Sequence, residues 1–322
     1  MNREPLTPLG PGNEFDRIRA MAERWKTRAQ GLGDDCAFVK VGRETLAVSL
    51  DLAVEDVHFR REWMSPEEIG YRAAAAALSD LAAVAADPLA LLVAIGAPAS
   101  EPEATHTGIA DGIGEAVAAA GAVVVGGDLT RAEQLTVDCC VIGRVRTPMR
   151  RSGAKPGDRL VVTGMLGGPL AAVTAWTVQN RPAPAARARF VHPEPRFAAG
   201  KALAKLGATA MIDISDGLGG DLLHLLAASS VGARVEVLRI PVYADARAAA
   251  ARLGQEPWAF AARSGEEYEL LATLPASVGD DALADAGVSA ATIGRIEKEP
   301  GVRAFAESAV TLPGGWDHLR AP

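Results

Sequence analysis

Residues 31–39 read GLGDDCAFV and residues 49–59 read SLDLAVEDVHF, and the acids in these two segments decide how the rest of the chain is read. Two apolar runs, 37–41 and 46–50, have the length and composition of a strand pair. Asp34 and Asp35 stand just before the first run, and Asp51 directly after the second. Carboxylates gathered at strand ends repel one another and raise each other's pKa unless a cation neutralises them. Mg²⁺ suits such a place, because it is a hard ion that takes oxygen ligands and also holds substrate phosphates. Gly-Asp-Asp is equally an ordinary turn sequence, so this pair decides nothing alone. The weight comes from later acids in apolar surroundings: Asp80, Asp128, Asp213 with Asp216, and Glu266 with Glu267.

Composition narrows the classes. A chain of 322 residues, 49% of them hydrophobic, is long enough for two domains and apolar enough to bury their cores. Its formal charge of −7 argues against a nucleic-acid partner, which calls for a basic face. Three cysteines, Cys36, Cys139 and Cys140, follow neither a disulfide framework nor zinc spacing, so a reducing cytoplasm is expected. The polar N-terminus lacks the apolar core of a signal peptide, and the Ala run at 73–77 is too short to span a bilayer. No membrane partner is expected.

Taken in order, residues 14–28 have helical spacing. Ser65-Pro66-Glu67-Glu68 is a capping box with Pro at the first helical position, opening a helix to about Ala86. Asp80 interrupts the apolar stretch of that helix, where an unpaired charge costs several kcal/mol, so it needs a partner or a metal. A strand follows Asp87-Pro88, then a helix over 102–120 and the strand AVVVGGD, with Asp128 at its C-terminal end, where open α/β sheets bind ligands. After a strand over 135–145, the basic RTPMRRSGAKPGD places a domain boundary, giving domains 1–147 and 148–322. The second half has a strand RLVVTG, a Gly-rich turn, a helix to about Gln179, RPAPAAR as a surface linker, and a helix over 195–206. In TAMIDISDGLGGDLLHLL, Asp213 and Asp216 bracket Ser215 between a strand and a helix whose first amides could hold an anion. RSGEEYELLATLP is a turn feeding a strand, and LPGGWDHL sets Trp316 after two glycines.

In this order, GLGDDCAFV, SLDLAVEDVHF, IGYRAAAAALSDLAA, VVVGGDLTR, RSGAKPGD, VTG, HPEPR, DISDGL, SGEEYEL and GWDHL resemble the thiamine-monophosphate kinase family, within the aminoimidazole ribonucleotide synthetase superfamily. The resemblance runs from about residue 31 to 316. It implies a two-domain α/β (α+β) fold whose N-terminal mixed sheet pairs in a homodimer and whose C-terminal α/β domain completes the site. It also implies transfer of the γ-phosphoryl group of ATP onto thiamine monophosphate, with several Mg²⁺ ions. By resemblance, Asp34, Ser49, Asp51, Asp80, Asp128, Asp213 and Asp216 hold metal, and Gly127, Asp128, Arg151 and Ser215 touch the nucleotide. His58, Glu266 and Trp316 face thiamine, and Asp51, Asp128, Asp213 and Arg151 carry the catalytic charge.

The inventory suits that chemistry. A phosphate acceptor is largely dianionic at neutral pH, its second pKa being about 6, so no strong base is needed. Charge neutralisation and in-line placement are the requirement. Trp316 beside a cationic thiazolium is a cation–π contact, and Glu266 can pair with the aminopyrimidine. Three positions depart from the family: Leu50 where Thr or Ser is usual, which predicts the loss of one oxygen ligand; Glu267 where Asp is usual; and Ala110 where an aromatic side chain packs near adenine. They leave two rivals, another ATP-using enzyme of the superfamily and a nucleotide-binding paralogue without catalysis.

Overall fold

The structure is a computed structural model and describes residues 6–319. Helix α1 (Asn13–Trp25) precedes the acidic loop and the hairpin of β1 (Ala37–Val41) and β2 (Glu44–Val54). Then come α2 (Pro66–Ala83), β3 (Asp87–Ala97), α3 (Glu103–Ala120), β4 (Val123–Arg131) and β5 (Thr136–Arg144). These strands form one mixed sheet in the order β1-β2-β5-β3-β4, in which only the β3–β4 pair is parallel.

The second domain continues with β6 (Arg159–Thr163), α4 (Gly168–Thr177), α5 (Pro184–Val191), α6 (Phe197–Lys205), β7 (Ala210–Asp213), α7 (Leu218–Ser229) and β8 (Gly232–Glu236). It is completed by α8 (Ala244–Arg252), α9 (Pro257–Ala262), β9 (Leu270–Leu274), α10 (Asp280–Asp285), β10 (Ala290–Glu297), β11 (Gly301–Phe305) and β12 (Ala309–Val310). Its mixed sheet runs β12-β11-β8-β10-β6-β9-β7.

Helix α2 holds the two halves together. Ser65 accepts from the Glu68 amide while Glu68 reaches back to the Ser65 amide, which satisfies donors that a helix start leaves bare. The Ala and Gly content beyond that cap permits close packing on several sides. A Cβ added at Gly112 of α3 would lie 1.8 Å from the Glu67 carbonyl oxygen, and one at Gly70 would lie 2.1 Å from that of Ile109. On the other side, a Cβ at Gly200 of α6 would lie 2.3 Å from the Ala82 carbonyl oxygen. The main apolar core runs unbroken through both domains, from Cys36 to Ala304.

Several expected boundaries move. The first helix ends at Trp25, with one 3₁₀ turn to Arg28, and α2 stops at Ala83. RPAPAAR is not a linker throughout: Pro184 opens α5, where a proline at the first helical position lacks only an N–H that would go unpaired anyway. Arg187 of that helix pairs with Glu68 at the start of α2. Asp51 and Asp128 lie inside β2 and β4 rather than at strand ends, because each strand runs three residues further.

That extension matters for the faces of the first sheet. Side chains alternate along a strand, so Ala47, Ser49 and Asp51 turn toward α2 while Leu50 and Leu52 turn outward. Leu50 is 64% exposed and, with Leu52, Val39, Val41 and Val123, forms an apolar outer face.

Candidate active site

The acidic loop enters the site through Gly33, whose φ of 107° and lack of a Cβ let it sit against Thr7. The two aspartates then part company. Asp34 accepts from Arg150 Nη1 at 2.8 Å and from the Arg151 amide at 2.9 Å. Asp35 accepts from Arg151 Nη2 at 2.8 Å through Oδ1, while its buried Oδ2 has no hydrogen-bond partner among the described residues. One oxygen each of Asp35, Asp80 and Asp213 lie within 4.8 Å of one another. Sequence analysis expected Asp34 in that company; the structure puts Asp35 there and turns Asp34 to the arginines.

Each neighbouring element supplies one support. Ser49 of β2 donates to Asp80, and Ser79 of α2 donates to Asp213 at 2.6 Å. Desolvation first, and the neighbouring acids second, push Asp213 up to about 7 and Asp80 well above the usual carboxylate range. Asp51 rises to about 6 through desolvation and the nearby Asp138. Asp216 also rises to about 6, again by desolvation, then by Glu14. Arg151, paired with Asp35, offsets part of the charge, and three all-oxygen groups with one buried oxygen still unpartnered fit a hard divalent cation.

A cleft of about 620 Å³ extends from these acids to His58, Glu266 and Trp316. Its far side is built by the 213–216 turn lying along 266–269: the Glu266 amide donates to the Ser215 carbonyl at 2.6 Å, and Tyr268 to Ile214 at 2.9 Å. Glu266 has a φ of 58° and its carboxylate pairs with buried Arg72. Arg72 in turn donates to the Phe190 carbonyl and lies 3.9 Å from the centre of the Phe190 ring. Trp316 is tied by its amide to the Asp216 carbonyl at 2.8 Å, and is 65% exposed at the mouth. The tail can approach so closely because Gly219 and Gly220 of α7 lack side chains; a Cβ at Gly219 would lie 1.8 Å from the Pro313 carbonyl oxygen. Asp317 then accepts from the Asn13 amide at the open start of α1 at 2.7 Å.

Asp51, Asp80, Asp213, Asp216, Arg151, Ser215, His58, Glu266 and Trp316 therefore line one cleft. Asp128 does not join them in one chain: register places it in the outer-face row Leu52, Asp138, Ala94, Asp128, away from Asp51. Gly127 shares the inner-face row with Asp51 but lies three strands away. The three family departures also fall outside the cleft. Leu50 turns to the outer face, so it removes no oxygen from the acids, and Ala110 is an exposed residue of α3. Glu267 is buried, accepts from the Gly167 amide and pairs with Arg189. Sequence reasoning missed Asp35, Ser79 and Arg72; a lone arginine beside an Ala run was the available signal for the last.

Residues 33–145 match the AIR synthase related protein, N-terminal domain, and residues 155–307 match the C-terminal domain of the same family. The thiamine-monophosphate kinase of Mycobacterium tuberculosis is 38% identical over 270 residues, 83% of this chain and 81% of that protein. The enzyme of that name from Pyrococcus horikoshii is 34% identical over 311 residues, 95% of this chain and 96% of the relative.

The chain belongs to the thiamine-monophosphate kinase family.

Within this family of phosphotransferases, AaThiL complexed with AMPPCP and TMP matches with a TM-score of 0.87 at 27% identity, covering 96% of this chain and 97% of that one. The two-domain fold with mixed sheets is thus the family's.

Proposed function

We propose that this chain transfers the γ-phosphoryl group of ATP to thiamine monophosphate, giving thiamine diphosphate and ADP. The observation that carries the reading is the single cleft joining the Asp35–Asp80–Asp213 cluster to His58, Glu266 and Trp316. A non-bridging oxygen of the acceptor phosphate attacks the γ-phosphorus, and the bond from that phosphorus to the β–γ bridging oxygen breaks as ADP leaves. Asp35, Asp51, Asp80 and Asp213 would hold Mg²⁺, with Ser49 orienting Asp80 and Asp216 at the rim; bound there, the ions neutralise the two phosphates. Asp34 fixes Arg150 and the Arg151 backbone, and Arg151 brings positive charge to the nucleotide side with Ser215. Glu266, held by its ion pair with Arg72, accepts from the aminopyrimidine, His58 faces the acceptor, and Trp316 stacks on the thiazolium.

The exposed apolar outer face of the first sheet supports a homodimer, because such a patch on a monomer marks an interface. Asp128 lies on that face, so pairing would bring it and Gly127 toward the partner subunit's cleft. The three cysteines are free, which supports a reducing, cytoplasmic setting; among the described residues no helix is long and apolar enough to cross a membrane.

The test is an assay of ADP and thiamine diphosphate formed together from Mg·ATP and thiamine monophosphate, beside Asp51→Asn. Equal amounts of both products, abolished in the variant, are expected. ADP without thiamine diphosphate would refute the acceptor.

A further inference from the structure

Between the acids and the thiamine-facing residues stands a second imidazole to which the resemblance gives no role. His318 lies with its ring centre 5.0 Å from that of His58, and it lines the same cleft. Hydrogen bonds fix how both rings are protonated. The Val54 amide donates to His58 Nδ1 at 3.1 Å, and Trp316 Nε1 donates to His318 Nδ1 at 3.3 Å. An imidazole nitrogen that accepts carries no proton, so in each neutral ring the proton sits on Nε2. Both rings thus offer an N–H at the junction between the metal-side acids and the ring-binding wall. His318 is also near enough to Asp51 and Asp216 to interact with both carboxyls. An acceptor phosphate has to occupy that junction, since its ester side faces Trp316 and Glu266 and its attacking oxygen faces the acids.

We infer that His318 contacts the substrate directly, its Nε2–H and that of His58 forming a pair of donors to the acceptor phosphate. The inference rests on the thiamine monophosphate reading and adds a residue that reads the phosphate rather than the rings. Hydrogen bonds to a charged group contribute about 1.5–3 kcal/mol, which is roughly a 10- to 150-fold change in affinity.

Two variants of the full chain, His318→Leu and His318→Gln, test it. Leu is expected to lower kcat/KM for thiamine monophosphate by at least about 10-fold with the KM for Mg·ATP changed less than about 2-fold. Gln carries an amide N–H₂ near the Nε2 position and should recover most of the loss. Unphosphorylated thiamine, used as a competitive inhibitor, should keep its Ki in His318→Leu. A Ki that rises in step with KM would mean that His318 acts only through Trp316, and unchanged kinetics in the Leu variant would mean no contact; either overturns the inference. Should the wild-type chain fail to phosphorylate thiamine monophosphate, the functional reading falls separately. Calorimetry with inorganic phosphate and Mg²⁺ then decides this point, because weaker phosphate binding in His318→Leu than in wild type is expected and equal binding overturns it.

Discussion

Asp80 sits where three other acids meet, and its carboxyl is raised well above the usual range by desolvation, then by Asp213, Asp51 and Asp35. Asn keeps its shape and removes the charge. In Asp80→Asn the metal-free protein should melt about 2–4 °C higher while the Mg²⁺-induced rise in Tm and the kinase activity disappear. A variant that melts lower without metal, or that keeps the Mg²⁺ response, would refute the cluster. The same residues set a pH dependence. Asp213 has a folded pKa of about 7, and Asp51 and Asp216 of about 6, against a usual 3.8. The folded state therefore binds more protons than the unfolded one between these values, and stability falls as pH rises through them. Metal-free protein should lose Tm from about pH 4 to pH 7 and level off above that, and Mg²⁺ should restore it at the upper end. A Tm that climbs with pH in chelator would contradict the assignment. At this scale the sequence named most of the acids but took Asp34 where the cluster has Asp35. Adjacent residues point apart, and the choice was made by Arg150 and Arg151, more than a hundred positions away.

Among the elements, α2 was the most legible, because its capping box and first-position proline are local signals that the structure keeps. Its far end was harder to read: the Ala run extends the helical pattern past Ala83, whereas the chain turns there to enter β3. What α2 packs against was also hidden, since a glycine in α3 gains meaning only when Glu67 is beside it. Gly112→Ala would place its methyl 1.8 Å from the Glu67 carbonyl oxygen, a backbone atom that cannot swing away. The expected cost is about 2–3 kcal/mol in urea denaturation, with Gly114→Ala, which meets no atom within 4 Å, as a control of about zero or slight gain. Equal midpoints for the two variants would show that the helices have room to separate. The α5 helix was missed for an opposite reason. Its prolines read as breakers, but one of them begins the helix.

For the whole molecule, ten ordered motifs were enough to assign two domains, and the strand alternation that exposes Leu50 and Leu52 was in the sequence once β2 was given its full length. The position of Asp128 was not, because it depends on which strand borders which. If Asp128 serves the partner subunit's cleft, Asp51→Asn and Asp128→Asn should each be inactive alone. Unfolded together and refolded as a mixture, they should regain about one quarter of the wild-type rate, because half the dimers are mixed and one of their two sites is intact. No recovery would place Asp128 in its own chain's site or outside catalysis. Leu50→Lys should shift the protein toward monomer in sedimentation, and a dimer unaffected by that charge would exclude this face as the interface.

The tie between Asp317 and the start of α1 has a consequence for biosynthesis. Residues far apart along the chain meet at the mouth of the cleft, and Trp316 and His318 follow β12, the last strand of the second sheet, in chain order. A nascent chain can therefore fold and gather its acids before anything covers them. A stop after Pro313 should yield a protein that still binds Mg²⁺ yet does not phosphorylate thiamine monophosphate, so the segment that covers the cleft separates ion binding from kinase activity. Turnover by such a truncated chain would show that the tail is dispensable.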